Sequence, residues 1–424
     1  MTRHAFTVVG LLAVALAAAL NLRGAMPPLQ DFNEWIYQGW LVGQLLRGED
    51  LPFGLKPWPV PNAAAQALLG LLNLPLGPRA AGLAYLTLYL AGMTWLAAAI
   101  ARAQGRFDPA TFLLALLIGG INSPYWDGYA NSQLGTALYL VHVLRQRRGP
   151  TPVAWDLAMG LALFFCHAVL LAVFALHTAL HAWQHRQLPR AATVLAPPFA
   201  LLAWYLLRDD NYGEHIPPFG TSLAEFLAYK AYTAAKAGPY QNVILGGLGD
   251  AERVPALYWL GVAANLAFAL VALAPLAWAL LDRARKGDRS PALLTALACL
   301  AGFAVLPSAL FGVVNVGERL LIPAMLVALA LCPDPWNLRR FGAAIAALSP
   351  AMLLHLHLAL PATPPATDIG HLAAHDAERR HRLLFWHRPY YFQAQFHAAQ
   401  RGEPVRLRFT TSIVRPLPPP AVAR

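Results

Sequence analysis

Charge is scarce in this chain. Of its 424 residues only 12% are Asp, Glu, Lys or Arg, about half the share of an ordinary soluble domain, so a water-soluble globular enzyme is all but excluded. An apolar content of 58% excludes disorder. Cysteine is scarce too: Cys166, Cys299 and Cys332 lie in or at the ends of apolar stretches and no pair has metal-ligand spacing, which argues against a zinc site and a disulfide framework. Lysine occurs only at 56, 230, 236 and 286. There is no Walker loop, dinucleotide glycine pattern or G-x-S-x-G, which argues against soluble-nucleotide chemistry. No repeat of fixed period and no inverted two-half symmetry of the transporter kind is visible.

What remains is a polytopic, all-α membrane protein. A bilayer span needs about 20 apolar residues, somewhat fewer where the helix is short. Eleven stretches qualify, at approximately 5–22, 80–101, 109–122, 129–144, 153–165, 168–183, 191–207, 256–281, 290–312, 316–332 and 341–360. The first, Ala5–Leu22, is followed by no small-x-small cleavage site and reads as a retained helix. The segment 61–76, with Pro61 and Pro75, reads as re-entrant or interfacial. Residues 1–360 then form the membrane domain, with long loops at 23–79 and 208–255. Residues 361–424, rich in histidine (371, 375, 381, 387, 397) and arginine, form a small C-terminal segment.

The excess of 32 basic over 21 acidic residues is expected of loops on the cytoplasmic side rather than of nucleic-acid binding. Four clusters carry it: Arg145, Arg147 and Arg148; Arg186 and Arg190; Arg283, Arg285, Lys286 and Arg289; Arg339 and Arg340. All four fall on one side if the N-terminus is cytoplasmic and 153–183 crosses twice, broken near Cys166–His167. The loops 23–79 and 208–255, the turn 122–133, His167, the turn 315–319 and the C-terminal segment then share the extracytoplasmic side.

The ionisable candidates gather there. Asp31 opens an amphipathic helix, 31–46, whose stripe of Phe32, Trp35, Ile36, Trp40, Val42 and Leu46 suits the headgroup layer. Asp31 and Glu34 share one helical face. One of them is a general base for a hydroxyl, or Asp31 is an N-cap and Glu34 a solvated face residue. Asp127, Asn131 and Gln133, with Asn122, line a wet cavity or cap a tight turn. His167 is a site residue at the helix break or a packing residue. Arg319, beside Glu318, is the best phosphate ligand, because a guanidinium fork matches phosphate oxygens; the plainer reading is an internal salt bridge. His177, His181 and His185 recur at helical spacing like a metal face, but with no acid to complete a site they read as an interfacial stripe.

This order of features resembles the GT-C class of membrane glycosyltransferases. The matching stretch is Leu29–Tyr37 (LQDFNEWIY), then Leu45–Gly48 (LLRG) and Trp58–Pro61 (WPVP). It is similar to the D-x-x-x-x-x-Y, G, aromatic-Pro-x-Pro run of the polyprenyl-phosphate-mannose branch. In feature order the resemblance covers about residues 1–340. It departs from the metal-using branches, which carry an acidic doublet where Asp31 stands alone, and Asn131-Ser-Gln133 replaces a Gly-Gln-x-Asn. The resemblance implies a GT-C-like bundle with interfacial helices in its first outer loop, in the inner membrane of a bacterium. It implies an inverting transfer of a sugar from a polyprenyl-phosphate donor to a lipid or glycan acceptor. Asp31 and Glu34 would be catalytic. Tyr37, Lys56, Asp127, Asn131, Gln133, His167, Glu318 and Arg319 would bind substrate. Neither a cofactor nor a metal is expected. The competing class is a transporter or flippase of a lipid-linked or small anionic substrate; a non-catalytic envelope subunit has no positive sign in its favour.

Overall fold

The computed structural model of the chain describes residues 3–23, 27, 29, 31–208, 222–238, 263–310, 313–332, 338–351, 353–354 and 413–417, which are mostly helical. In chain order the first half holds α1 (Arg3–Arg23), α2 (Phe32–Leu46), the strand β1 (Phe53–Leu55), α3 (Ala64–Asn73), α4 (Pro78–Ala101), α5 (Pro109–Gly119), the one-turn α6 (Ser123–Trp126), α7 (Ala130–Gln146), α8 (Val153–Cys166) and α9 (Ala168–Gln184). The second half holds α10 (Leu188–Arg208), α11 (Leu223–Lys236), α12 (Ala263–Arg285), α13 (Pro291–Val305), the short strands β2 (Ala309–Leu310) and β3 (Val313–Val314), α14 (Val316–Leu331), α15 (Leu338–Ala346) and β4 (Val414–Pro416). Helices α1, α4, α10 and α12 are each long and apolar enough to cross a membrane; α5, α8, α9 and α13 are apolar but shorter.

The centre of the bundle is α14. Every residue from Val316 to Leu331 is buried, as is α5 from Ala110 to Gly119, and a helix apolar on all sides belongs inside a packed core. At its C-terminal end α14 leaves carbonyls with no intrahelical donor, and side chains from several elements take them. Arg147, just past α7, donates to Ala330, and Arg283 of α12 donates to Leu331 at 2.7 Å. Arg339 of α15 and Gln104, after α4, both donate to Cys332, the latter at 2.5 Å. Cations are also favoured at this end by the helix dipole. Nearby, Arg190 reaches Asp156 at 2.5 Å, and Gln184 at the end of α9 bonds the carbonyl of Arg289. The four arginine clusters thus share one end of the bundle, the basic end.

The opposite end is built from the loops. Arg79 at the start of α4 donates to the carbonyl of Leu22 at 3.3 Å, so α1 ends and α4 begins at the same end of the bundle. The ten residues of α3 extend only about 15 Å, too short to span, in keeping with a re-entrant or interfacial piece. Glycine lets α2 and α3 touch. A Cβ on Gly39 would lie 2.5 Å from that of Leu69, and one on Gly70 2.6 Å from Val42 Cγ1. The end of the chain comes back here: β4 pairs antiparallel with β1, Phe53 opposite Pro416. The Ile413 N–H donates to Gln66 Oε1 at 2.8 Å, and its carbonyl accepts from Lys56 N–H at 2.7 Å. Residues 361–412 of the C-terminal segment, with their histidines, and most of loop 208–255 lie outside the described residues.

Several expectations change. Helix α2 has no solvated face at Glu34: Glu34 and Gln38 are as fully buried as Ile36, because α3, α4 and β1 pack around the helix. The span expected at 290–312 stops at Val305. Leu306, extended at ψ 145°, precedes Pro307, which disfavours the helical region for it. Beyond it β2 pairs antiparallel with β3, Leu310 opposite Val313. His177 is not part of an interfacial stripe; it is buried, bonded to Tyr139 (3.1 Å) and Gln146 (2.8 Å).

Candidate functional site

The site begins with a turn. Between α6 and α7, Asp127 is followed by Gly128 at φ +78°, a backbone conformation suited to glycine. A Cβ there would lie 2.3 Å from the amide nitrogen of Phe32. The close approach lets Asp31 N–H donate to the Asp127 carbonyl at 2.9 Å and Trp35 Nε1 donate to that of Gly128 at 3.0 Å. Residues nearly a hundred positions apart are thereby fixed side by side. Asp31 itself starts α2 in helical φ/ψ and makes no side-chain cap, so the capping role expected for it is not observed.

Two further elements bring charge to this turn. Helix α11 closes on α14 through its last residue: Lys236 Nζ lies 2.8 Å from Asp127 Oδ2 and 2.8 Å from Glu318 Oε1. All three side chains are almost wholly buried. Burial alone works against an ammonium, but Asp127 and Glu318 outweigh it and hold Lys236 well above the usual lysine range. Removing one partner of such a buried set typically costs about 3–5 kcal/mol. Glu318 Oε2 has no hydrogen-bond partner among the described residues. The next residue, Arg319, holds its guanidinium 4.7 Å from the centre of the Tyr129 ring, a cation–π distance. Asn315, at φ +55°, donates to Tyr129 OH and accepts from Tyr229 OH, each at 2.8 Å. Tyr129 is the hub: the charges of Asp127, Lys236, Glu318 and Asp31 all bear on its phenol.

His167 stands at the break between α8 and α9, extended at φ −165°, ψ 130°, with Nδ1 accepting from Val169 N–H at 3.2 Å. Burial, and then the nearby Arg319 charge, hold it well below the usual imidazole range, so it is neutral at pH 7. A small cavity lies between α6, α7 and α14, lined among others by Asn122, Pro124, Gln133, Glu318, Arg319 and Ile322. It is of water-molecule size.

The other candidates have different places. Asn131 accepts from Ala65 N–H (2.7 Å) and donates to the Asn62 carbonyl (2.9 Å); it caps α3 from a distance. Asn122 caps α6, accepting from Tyr125 N–H at 3.0 Å, while Gln133 donates to Asn122 at 3.3 Å and faces the cavity. Glu34 accepts from Gln38 at 2.7 Å. Tyr37 stacks on Trp40 with ring centres 6.0 Å apart. Lys56 is buried beside the β1–β4 pair. So Asp31, Asp127, His167, Glu318 and Arg319 come together, and Glu34, Tyr37, Lys56 and Asn131 serve the elements around them. Lys236 and Tyr129 went unnoticed in the sequence. The rarity of lysine was the signal for the first, since three of only four lie at positions 56, 230 and 236 within the long loops. No group of three or more metal-binding side chains occurs among the described residues. Comparison with protein-family models, with characterised proteins and with solved structures found no match.

Proposed function

We propose that this chain is a polytopic membrane glycosyltransferase of GT-C type, moving a sugar from a polyprenyl-phosphate donor to an acceptor hydroxyl on the extracytoplasmic side. The observation that carries the reading is the gathering of Asp31, Asp127, Lys236, Glu318 and Arg319 around Tyr129 at the end of the bundle opposite the arginines. Arginine-rich ends face the cytoplasm in membrane proteins, which would put this cluster outside, the N-terminus inside and about eleven crossings between. Inversion at the sugar carbon needs a base and a counter-charge for the leaving phosphate. Asp31, partly exposed at the rim, would take the acceptor proton. The acceptor oxygen bonds to the anomeric carbon, the bond from that carbon to the phosphate oxygen breaks, and its electron pair leaves with the phosphate towards Arg319. A bacterial inner membrane is the setting that goes with the GT-C resemblance.

Transport of a lipid-linked or small anionic substrate has less support. Along α14, between Arg319 and the basic end, every residue from Leu320 to Leu331 is apolar, so this central helix offers no ionisable stepping stones. Transfer of radiolabelled sugar from a polyprenyl-phosphate donor, in membranes carrying the wild-type chain or Asp31→Asn, tests the reading. Transfer by the wild type alone supports it. No transfer by the wild type from any donor in a panel of such sugars, or full activity in Asp31→Asn, counts against the reading or against the base assignment respectively.

A further inference from the structure

Glu318 has an oxygen to spare. Its Oε1 faces Lys236 Nζ at 2.8 Å, while Oε2 has no hydrogen-bond partner among the described residues, although the residue is only 2% exposed. A buried carboxylate oxygen without a donor is costly, and such a group points to a ligand that supplies the missing bond. Glu318 lines the cavity between α6, α7 and α14. Across it lies Gln133, whose amide nitrogen gives one N–H to Asn122 Oδ1 at 3.3 Å and has a second. Pro124 and Ile322 supply carbon surface to the walls. The space takes a single oxygen-sized group. A hydroxyl on a carbon fits all of this, because it donates to a carboxylate, accepts from an amide and sets its carbon against apolar walls. A metal cation fits poorly, since the Lys236 ammonium already sits on the same carboxylate and Arg319 is part of the wall.

The reading above, on which this inference rests, sends the leaving phosphate towards Arg319, and Arg319 and Glu318 are consecutive residues that line one cavity. The group held next to that phosphate is the sugar it carries. We propose that the cavity is a subsite for one hydroxyl of the transferred sugar, with Glu318 Oε2 accepting its hydrogen bond and Gln133 donating to its oxygen. Glu318 is then a specificity-determining residue: it selects donors that carry this hydroxyl over their deoxy counterparts. Lys236, on the other oxygen, holds the carboxylate in the orientation that the contact needs.

The test offers membranes carrying the full chain the polyprenyl-phosphate esters of mannose, glucose and galactose, and then the 2-, 3-, 4- and 6-deoxy forms of whichever sugar is transferred best. For the wild type, kcat/KM should fall about 10- to 100-fold at one of the four positions, the factor for one hydrogen bond to a charged group. In Glu318→Gln the ratio of parent to that deoxy donor should narrow to about 3- to 10-fold, because a bond to a neutral acceptor is about half as strong. The ratio is taken within each variant, so the intrinsic reactivity of the deoxy sugar and any general loss of activity cancel. Where Glu318→Gln does not purify as a monodisperse species, Gln133→Met, close in shape but without the amide, carries the same comparison and should narrow the ratio about 3- to 10-fold. Equal transfer of the parent and all four deoxy donors by the wild type overturns this inference alone and leaves the cavity to structural water. A ratio that stays at its wild-type value in the variant also overturns it, since the hydroxyl is then recognised elsewhere. A wild type that transfers none of the three sugars overturns the glycosyltransferase reading and this inference together.

Discussion

Replacing Gly128 by alanine separates backbone strain from displacement of the site. At φ +78° an L-residue sits in the left-handed region at a cost of about 1–2 kcal/mol. In addition the new Cβ would lie 2.3 Å from Phe32 N and 3.0 Å from Asp31 N. Both are backbone atoms that cannot rotate away, so the start of α2 must retreat by roughly 1 Å to reach ordinary contact. A shift of that size at a reacting group costs on the order of 100-fold in rate. Gly48 supplies the control: its φ is +82°, and a Cβ there would meet nothing within 4 Å. Gly128→Ala and Gly48→Ala should both lose about 1–2 kcal/mol to strain, read as lowered melting temperatures in detergent, with Gly128→Ala lower still. Only Gly128→Ala should lose sugar transfer, by about 100-fold. Equal transfer rates in the two variants would refute the idea that the Asp127–Gly128 turn sets the position of Asp31.

Asp31→Asn should reduce transfer by about 10²- to 10⁴-fold, the usual worth of a general base, while the protein is recovered in normal yield. Asn131→Ala removes both bonds that hold the start of α3 and should cost about 1–3 kcal/mol in thermal unfolding; an unchanged melting temperature would exclude the capping role. His167 binds no proton in the native state at neutral pH, whereas the unfolded chain takes one below about pH 6.5. The unfolded state then binds more protons, so the His167 contribution to stability is present above that pH and is lost as the pH falls. His167→Asn, which keeps an acceptor for Val169, should flatten that part of the melting-temperature profile between pH 7 and 5; an unaltered slope would contradict a neutral buried imidazole.

Much of the helix frame was legible because its punctuation is local. Arginines mark the basic ends, Pro78, Pro109 and Pro291 open helices, and His167 interrupts one apolar run. The gathering of Asp31, Asp127, His167 and Arg319 was legible only as a geometric expectation from which loops share a side. What escaped depends on contacts between distant positions. The stripe on α2 gives the face that seeks apolar surroundings but says nothing of what covers Glu34 and Gln38. Asn131 caps a helix 66 residues away, for which no local spacing exists. Lys236 is the last residue of a loop helix, and its two acidic partners lie 109 positions before it and on α14. The early end of α13 could have been read from Leu306–Pro307, but the apolar residues beyond it disguised the stop.

The central claim is that the charged cluster and the arginine clusters lie on opposite faces of a membrane, with the cluster outside. Labelling of single cysteines in intact cells by a membrane-impermeant maleimide tests it directly, on a background in which the three native cysteines are buried. Glu49→Cys, exposed in the loop that carries Asp31, should be labelled in intact cells, and Arg148→Cys, exposed at the basic end, only after the membrane is opened. Labelling of both positions in intact cells, or of Arg148→Cys alone, would contradict the account.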